Sequence, residues 1–189
     1  MQFWPARLIG FLWLIWCIYW FVSAQSVKPT REREGLGGRV AFVVAVAVVV
    51  LLLVIRHWPG VLAERLVGGG WIRYWCAVAL VVAGLAFSMW ARAILGRNWS
   101  GTVTVKVDHE LIERGPYRRI RHPIYTGILI ALLGSGLAAG QLRGLLAFVI
   151  ACIALWLKSR VEEAWMERTF AERYVAYRRS SWAFLPYVF

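Results

Sequence analysis

VAFVVAVAVVVLLLVI, residues Val40 to Ile55, decides the class of fold. It carries no polar or charged side chain, and Arg39 and Arg56 flank it. A helix in water needs one polar face, so a stretch that is apolar all round belongs inside a large core or a membrane. Its length approaches the roughly 18 residues that cross a bilayer. Four more runs of the same kind extend from about Leu8 to Ala24, Ile72 to Leu95, Ile124 to Ala139 and Leu142 to Leu157. In hydrocarbon, only helices and closed barrels satisfy every backbone polar group. The runs therefore predict an all-α polytopic membrane protein with about five transmembrane helices.

Composition points the same way. The 189 residues are 60% hydrophobic and 17% charged, with a mean hydropathy of +0.60, against about 45–50% and about 25% for an ordinary soluble domain. The net charge of +12 would suit nucleic acid if the basic residues formed one patch, but they sit in short segments beside the apolar runs. That placement excludes nucleic acid as the partner and indicates membrane orientation and anionic lipid headgroups. Twelve tryptophans suit rings at the membrane interface. Cys17, Cys76 and Cys152 each lie in an apolar run, with no CxxC spacing and no neighbouring histidine. They read as small buried hydrophobes, not as a metal site or a disulfide framework.

The basic residues also set the orientation. Lys28, Arg31, Arg33 and Arg39 follow the first run. Arg92, Arg97, Lys106, Arg114, Arg118, Arg119 and Arg121 separate the third from the fourth. Lys158, Arg160, Arg168, Arg173, Arg178 and Arg179 follow the fifth. With five spans these groups share one side, which the positive-inside rule makes cytoplasmic, with the N-terminus opposite. The first run has a rival reading as a signal peptide, because Arg7 precedes it and Val22-Ser23-Ala24 resembles a cleavage site. Its density of Trp and Tyr suits a retained helix better. Residues 1–95 then supply three membrane spans, and 96–189 form a second region of loop, helical hairpin and C-terminal helix.

The link between the fourth and fifth spans reads as very short: Gly134-Ser135-Gly136, then Ala139-Gly140-Gln141. Small residues there allow close helix approach. The hairpin should bring Arg121–Tyr125, at the start of span four, near Lys158–Glu163, at the end of span five. The 96–123 segment is polar, broken by Gly and Pro, and too long for a passive connector.

Three pieces stand out chemically. They are His109-Glu110-Leu111-Ile112 with Gly115-Pro116-Tyr117-Arg118; Arg121-His122-Pro123-Ile124-Tyr125-x-Gly127; and Lys158-x-Arg160-x-Glu162-Glu163, continuing through Phe170, Tyr174 and Tyr177 to Pro186. Pro123 suits the first turn of a helix, where a missing N–H costs nothing. His122 then stands at the mouth of span four, beside free N–H groups suited to an anion. Gly115-Pro116 turns the chain so that Tyr117 can fold back over that mouth. Lys158 and Glu162 share a helix face. Each feature has a plainer reading: Arg121-His122 as a headgroup anchor, Lys158 and Glu162 as a surface ion pair, and Met166, Phe170, Tyr174 and Tyr177 as the packing stripe of an amphipathic helix.

Together these motifs resemble the superfamily of isoprenylcysteine carboxyl methyltransferases and phospholipid methyltransferases over roughly Leu95 to Pro186. The resemblance implies that S-adenosylmethionine is held by His109, Glu110, Leu111, Ile112, Tyr117, Arg121, His122, Pro123, Ile124, Tyr125 and Glu162. It further implies that Lys158, four before that glutamate, faces the methyl acceptor. Arginine is expected at this position in the isoprenylcysteine enzymes, and Arg160 can share the role. Arginine grips a carboxylate bidentately and lysine does not, so the departure touches acceptor identity. Ala171 also stands after Phe170 where glycine is common. Lys158, Arg160, Glu162 and Glu163 are the expected catalytic set. An ionised carboxylate acceptor needs no base, whereas a lipid amine must lose a proton, for which Glu162 or Glu163 is the candidate. The expected partners are a lipid-like acceptor and the membrane, with no metal. Two rivals stay open: a membrane reductase using a nicotinamide cofactor, and a non-catalytic adaptor.

Overall fold

The computed structural model describes residues 3–25, 30–33, 35–55, 57–99, 104–106 and 110–186. The five apolar runs become five long helices: α1 (Phe3–Ala24), α2 (Leu36–Val54), α3 (Trp71–Leu95), α4 (Pro123–Ala139) and α5 (Leu142–Phe170). A short α6 (Glu172–Arg179) follows. Helices α1, α2, α3 and α5 are long and apolar enough to cross a membrane, and α4 is a shorter apolar helix. Outside the helices, β1 (Thr30–Arg33) pairs antiparallel with β2 (Thr104–Lys106). This ribbon ties the segment after α1 to the segment after α3, so both lie at one end of the bundle.

Helix α4 is held by backbone proximity. A side chain at Gly127 would put its Cβ 2.5 Å from the Gly84 carbonyl and 2.7 Å from the Ser88 nitrogen, and one at Gly134 would meet the Ala77 carbonyl at 2.7 Å. Among helices already surrounded by hydrocarbon, such close approach supplies the packing that the hydrophobic effect cannot. Gly136 and Gly144 do the same between α4 and α5. Gly134, Ser135 and Gly136 were expected in the α4–α5 link, but they lie inside α4. The turn itself is only Gly140-Gln141, with Gly140 in the left-handed region at φ 62°.

Helix α1 docks through polar rungs. Trp13 Nε1 donates to Ser135 Oγ (3.0 Å), Trp16 Nε1 to Ser88 Oγ (2.7 Å) and the Tyr19 hydroxyl to the Met89 carbonyl (3.2 Å). Buried Arg92 donates to the carbonyls of Ser23 and Gly96. At the other end of the bundle, buried Arg143 donates to the carbonyls of Leu52 (2.6 Å) and Ile55 (2.8 Å). A guanidinium at a helix C-terminus satisfies orphan carbonyls and meets the negative end of the dipole. Two arginines thus clamp α1 and α2 onto the rest, with no carboxylate partner among the described residues.

Most of the apolar surface faces outward, as for Phe21, Val43, Val54 and Ile153. Cys17 and Cys76 were expected in the interior and are exposed on this surface, with Cys152 half-buried. In a membrane, apolar character does not mean inside, because the surrounding medium is also apolar.

Past the expected end of span five at Leu157, α5 continues unbroken to Phe170. The stripe Met166–Tyr177 was read as one helix, but it breaks at Ala171, which takes φ 45° and ψ −124°. Glycine adopts that backbone easily and L-alanine does not, which accounts for the residue expected there. The break swings α6 back so that Tyr174 and Tyr177 become buried.

Candidate functional site

The mouth of α4 begins with Pro123 in the first turn and His122 as the preceding cap. The imidazole does not cap the helix; it turns toward α5. Its backbone is held by the C-terminal tail. The Arg121 and His122 N–H groups donate to the carbonyls of Trp182 (2.7 Å) and Ala183 (3.0 Å), and the Trp182 N–H donates to the Arg119 carbonyl (2.9 Å). The Thr126 hydroxyl donates to the Phe184 carbonyl (2.8 Å). The tail is therefore a strap across the mouth. It escaped the sequence reading, although the apolar alternation Trp182, Phe184 after a very basic helix was a visible signal.

Helix α5 brings up the acidic half. Arg121 Nε donates to Glu163 Oε1 at 2.7 Å, and His122 Nε2 lies 3.3 Å from the same oxygen. On the other side of the ring, His122 Nδ1 lies 3.6 Å from Glu162 Oε2. Glu162 Oε1 also accepts from the Tyr125 hydroxyl and lies 3.3 Å from Lys158 Nζ. The His122 and Tyr125 rings stack, 5.5 Å apart and 4° from parallel. Burial alone would lower the His122 pKa, but hydrogen bonds to Glu162 and Glu163 outweigh it and hold the pKa above its ordinary value. The ring thus lies between two carboxylates, Nε2 toward Glu163 and Nδ1 toward Glu162.

Tyr117 sits on a 3-10 turn, Gly115–Arg118, that Gly115 enters at φ 60°. Its ring is buried with Ala91 and Ile124, and Ile112 and Tyr125 pack against the cluster. Burial raises its phenol pKa, reinforced by Tyr177 and Glu162, so the hydroxyl stays neutral. The Tyr177 hydroxyl donates to the Tyr117 carbonyl, and α6 thereby fixes the turn.

Of the expected residues, Ile112, Tyr117, Arg121, His122, Pro123, Ile124, Tyr125, Lys158, Glu162 and Glu163 come together at one end of the bundle. Leu111 is half-buried, while Glu110 is exposed and outside the ion-pair network. Arg160 also stays outside: it is exposed, because two residues from Lys158 is a different helix face. His109 lies outside the described residues. Glu163 is enclosed by its partners at 7% side-chain exposure, and Glu162 is more open at 20%.

From Lys158 an apolar groove of about 450 Å³ runs between α2 and α5. Arg39, Phe42 and Val43 line one wall, and Ile153, Leu157 and Lys158 the other. The ring of Phe42 lies 5.1 Å from Lys158 Nζ. Phe42 is not among the residues expected from the sequence.

A phospholipid methyltransferase family profile matches residues 72–173. The chain is 27% identical over 124 residues to a probable protein-S-isoprenylcysteine O-methyltransferase from Oryza sativa subsp. indica, covering 62% of this chain and 63% of that one. It is 30% identical over 115 residues to a protein-S-isoprenylcysteine O-methyltransferase of Saccharomyces cerevisiae, covering 58% and 47%. It is 29% identical over 161 residues to the nickel-cobalt-cadmium resistance protein NccN of Alcaligenes xylosoxydans xylosoxydans, covering 83% and 66%. The chain thus spans 63% of the length of the rice relative. Its fold is similar to the solved structure of a eukaryotic intramembrane Ras methyltransferase, an isoprenylcysteine carboxyl methyltransferase, with a TM-score of 0.58 at 18% identity over 81% of this chain and 50% of that one. With the family profile spanning more than half its length, the chain belongs to the phospholipid methyltransferase family, within the wider group of membrane methyltransferases that includes the isoprenylcysteine enzymes.

Proposed function

We propose that the protein transfers a methyl group from S-adenosylmethionine to a lipophilic acceptor at the cytoplasmic membrane face, most like an isoprenylcysteine carboxyl O-methyltransferase. The observation that carries the reading is the convergence of His122, Tyr125 and Lys158 on Glu162 where an apolar groove opens. A polar cup joined to a groove suits a reaction between a water-soluble donor and a membrane-borne acceptor.

The donor set fits the cofactor. A sulfonium is a cation, and the more open carboxylate of the cluster, Glu162, stands beside the ring of Tyr125, with Tyr117 close by. Ile112, Tyr117, the His122–Tyr125 stretch and Glu162 would hold it, with His109, Glu110 and Leu111 contributing from the preceding segment. Arg121 and Glu163 would fix the imidazole from behind. When bound, S-adenosylmethionine supplies an electrophilic methyl group. The protein's task is alignment. Lys158 orients the acceptor, and α3, packed against α4, extends the support for the 96–189 region into the first half of the chain. Two cations line the groove near the cup, Lys158 and Arg39, which favours an ionised acceptor such as a carboxylate that needs no base. A lipid amine is the second reading, with Glu162 as its base. The bias of the basic segments supports a cytoplasmic position for this face, with the N-terminus opposite.

The test uses the full chain in detergent. S-adenosylmethionine should raise its unfolding temperature by mass action, and His122→Ala and Glu162→Ala should each weaken that effect. Stabilisation by NADPH instead, or cofactor affinity unchanged from wild type in both variants, refutes the reading. Membranes incubated with methyl-labelled cofactor then identify the acceptor through the labelled lipid-soluble product.

A further inference from the structure

Lysine is a point charge on a four-carbon stem, so its neighbours must set its position. Lys158 has two of them. Glu162, one turn on, holds the ammonium at 3.3 Å, and the face of Phe42 on α2 lies 5.1 Å away on the groove side. An ammonium over an aromatic face is attracted by the ring quadrupole, more strongly where water is excluded, and the Lys158 side chain is 90% buried by its 10% exposure. Without Phe42, Glu162 would be the one charged or aromatic partner left to the ammonium among the described residues, drawing it away from the groove. Arg39, one helical turn before Phe42, lines the same groove and has no carboxylate partner among the described residues. Among the described residues no Asp or Glu lines it. Both α2 residues precede the stretch matched by the family profile, 72–173.

We propose that α2 is the selectivity element of the acceptor site: Phe42 positions the Lys158 ammonium and Arg39 adds a second charge, so that the α2–α5 groove takes an amphiphile with an apolar chain and an anionic head. The inference rests on the methyltransferase reading for what happens to that ligand. Its own content is the selectivity, which a binding measurement reads directly. At about 450 Å³ the groove falls in the roughly 300–1,000 Å³ range of small-molecule sites. An amine-headed lipid would meet two like charges there.

The probes are N-acetyl-S-farnesyl-L-cysteine and its carboxamide, which differ by one charge, titrated against wild type, Phe42→Leu, Phe42→Trp and Arg39→Gln, with S-adenosylmethionine affinity measured alongside. Phe42→Leu should weaken the carboxylate probe by on the order of tenfold, from the loss of a desolvated cation–π contact. It should leave the carboxamide and the cofactor nearly unchanged. Phe42→Trp, which keeps an aromatic face, should rescue carboxylate binding, and Arg39→Gln should narrow the gap between the two probes. Equal losses for both probes in Phe42→Leu would make Phe42 mere packing and overturn the proposal, as would failure of Phe42→Trp to rescue. Wild type that binds cofactor but neither probe overturns the groove assignment alone. Wild type that binds the carboxylate probe selectively but no cofactor sinks the methyltransferase reading and leaves α2 selectivity standing.

Discussion

Replacing Glu163 by glutamine tests whether the cup is a connected ionic structure. The change keeps size and one acceptor oxygen but removes the charge facing Arg121 at 2.7 Å and His122 at 3.3 Å. Breaking a buried ion pair from one side costs about 3–5 kcal/mol, because the remaining charge is stranded. Two features reduce that here. Arg121 keeps the carbonyls of Ser181 and Arg178 as acceptors, and Arg178 itself reaches Glu163 only at 3.9 Å from a half-exposed position. We therefore expect a loss of about 2–3 kcal/mol, which lowers the unfolding temperature by about 4–12 °C at roughly 2–4 °C per kcal/mol for a chain of this size. The assay is thermal unfolding in detergent, with Glu113→Gln as control, since the exposed Arg173–Glu113 pair at 3.1 Å should contribute no more than about 1 kcal/mol. Arg121→Gln completes a double-mutant cycle with a coupling of at least about 1 kcal/mol. If Glu163→Gln behaves like Glu113→Gln, or the two changes simply add, the cup is not held together as argued.

Three further outcomes follow from other parts of the structure. Ala171→Gly relieves a backbone strain of about 1–2 kcal/mol, less the extra entropy glycine loses on folding, and should raise the unfolding temperature; a decrease would show that Ala171 is unstrained. Gly127→Ala drives a Cβ against backbone atoms of α3 at 2.5–2.7 Å and should cost about 1–3 kcal/mol as overpacking, whereas Gly10→Ala, with nothing within 4 Å, should be silent on size-exclusion and thermal assays. Because the folded-state pKa of His122 is raised, its contribution is fully present below the ordinary histidine value of about 6.5 and is lost as pH rises through the higher folded value; unfolding temperature followed from pH 6 to 9 should fall over that window, and His122→Asn should flatten the fall.

Several residues carried their structural meaning openly. Pro123 announced the start of α4 because proline fits a first turn, and the alternation of apolar runs with basic segments announced the bundle and its two faces. That Tyr117, His122 and Glu162 meet was legible from the short α4–α5 link and the Gly115-Pro116 turn, but their reading as a cofactor site came only through resemblance, since each taken singly has a plain structural explanation. Gly134 and Gly136 misled because glycine signals a turn in water, while between membrane helices it signals contact. Cys17 and Cys76 misled because burial in a chain and burial in a bilayer are different things.

What the sequence determined by itself is whatever depends on local chemistry and the medium: which segments leave water, where helices begin, and which end of the bundle is basic. These follow from the transfer free energy of contiguous side chains and from the backbone demands of proline. What only the tertiary structure decided is whatever depends on which surfaces meet. The strap of Trp182 to Phe184 over α4, the imidazole held between two carboxylates, and the ring of Phe42 brought to Lys158 across 116 positions all join residues remote along the chain. Their pairing is set by how the helices and the strap approach one another, a three-dimensional quantity that no single segment contains.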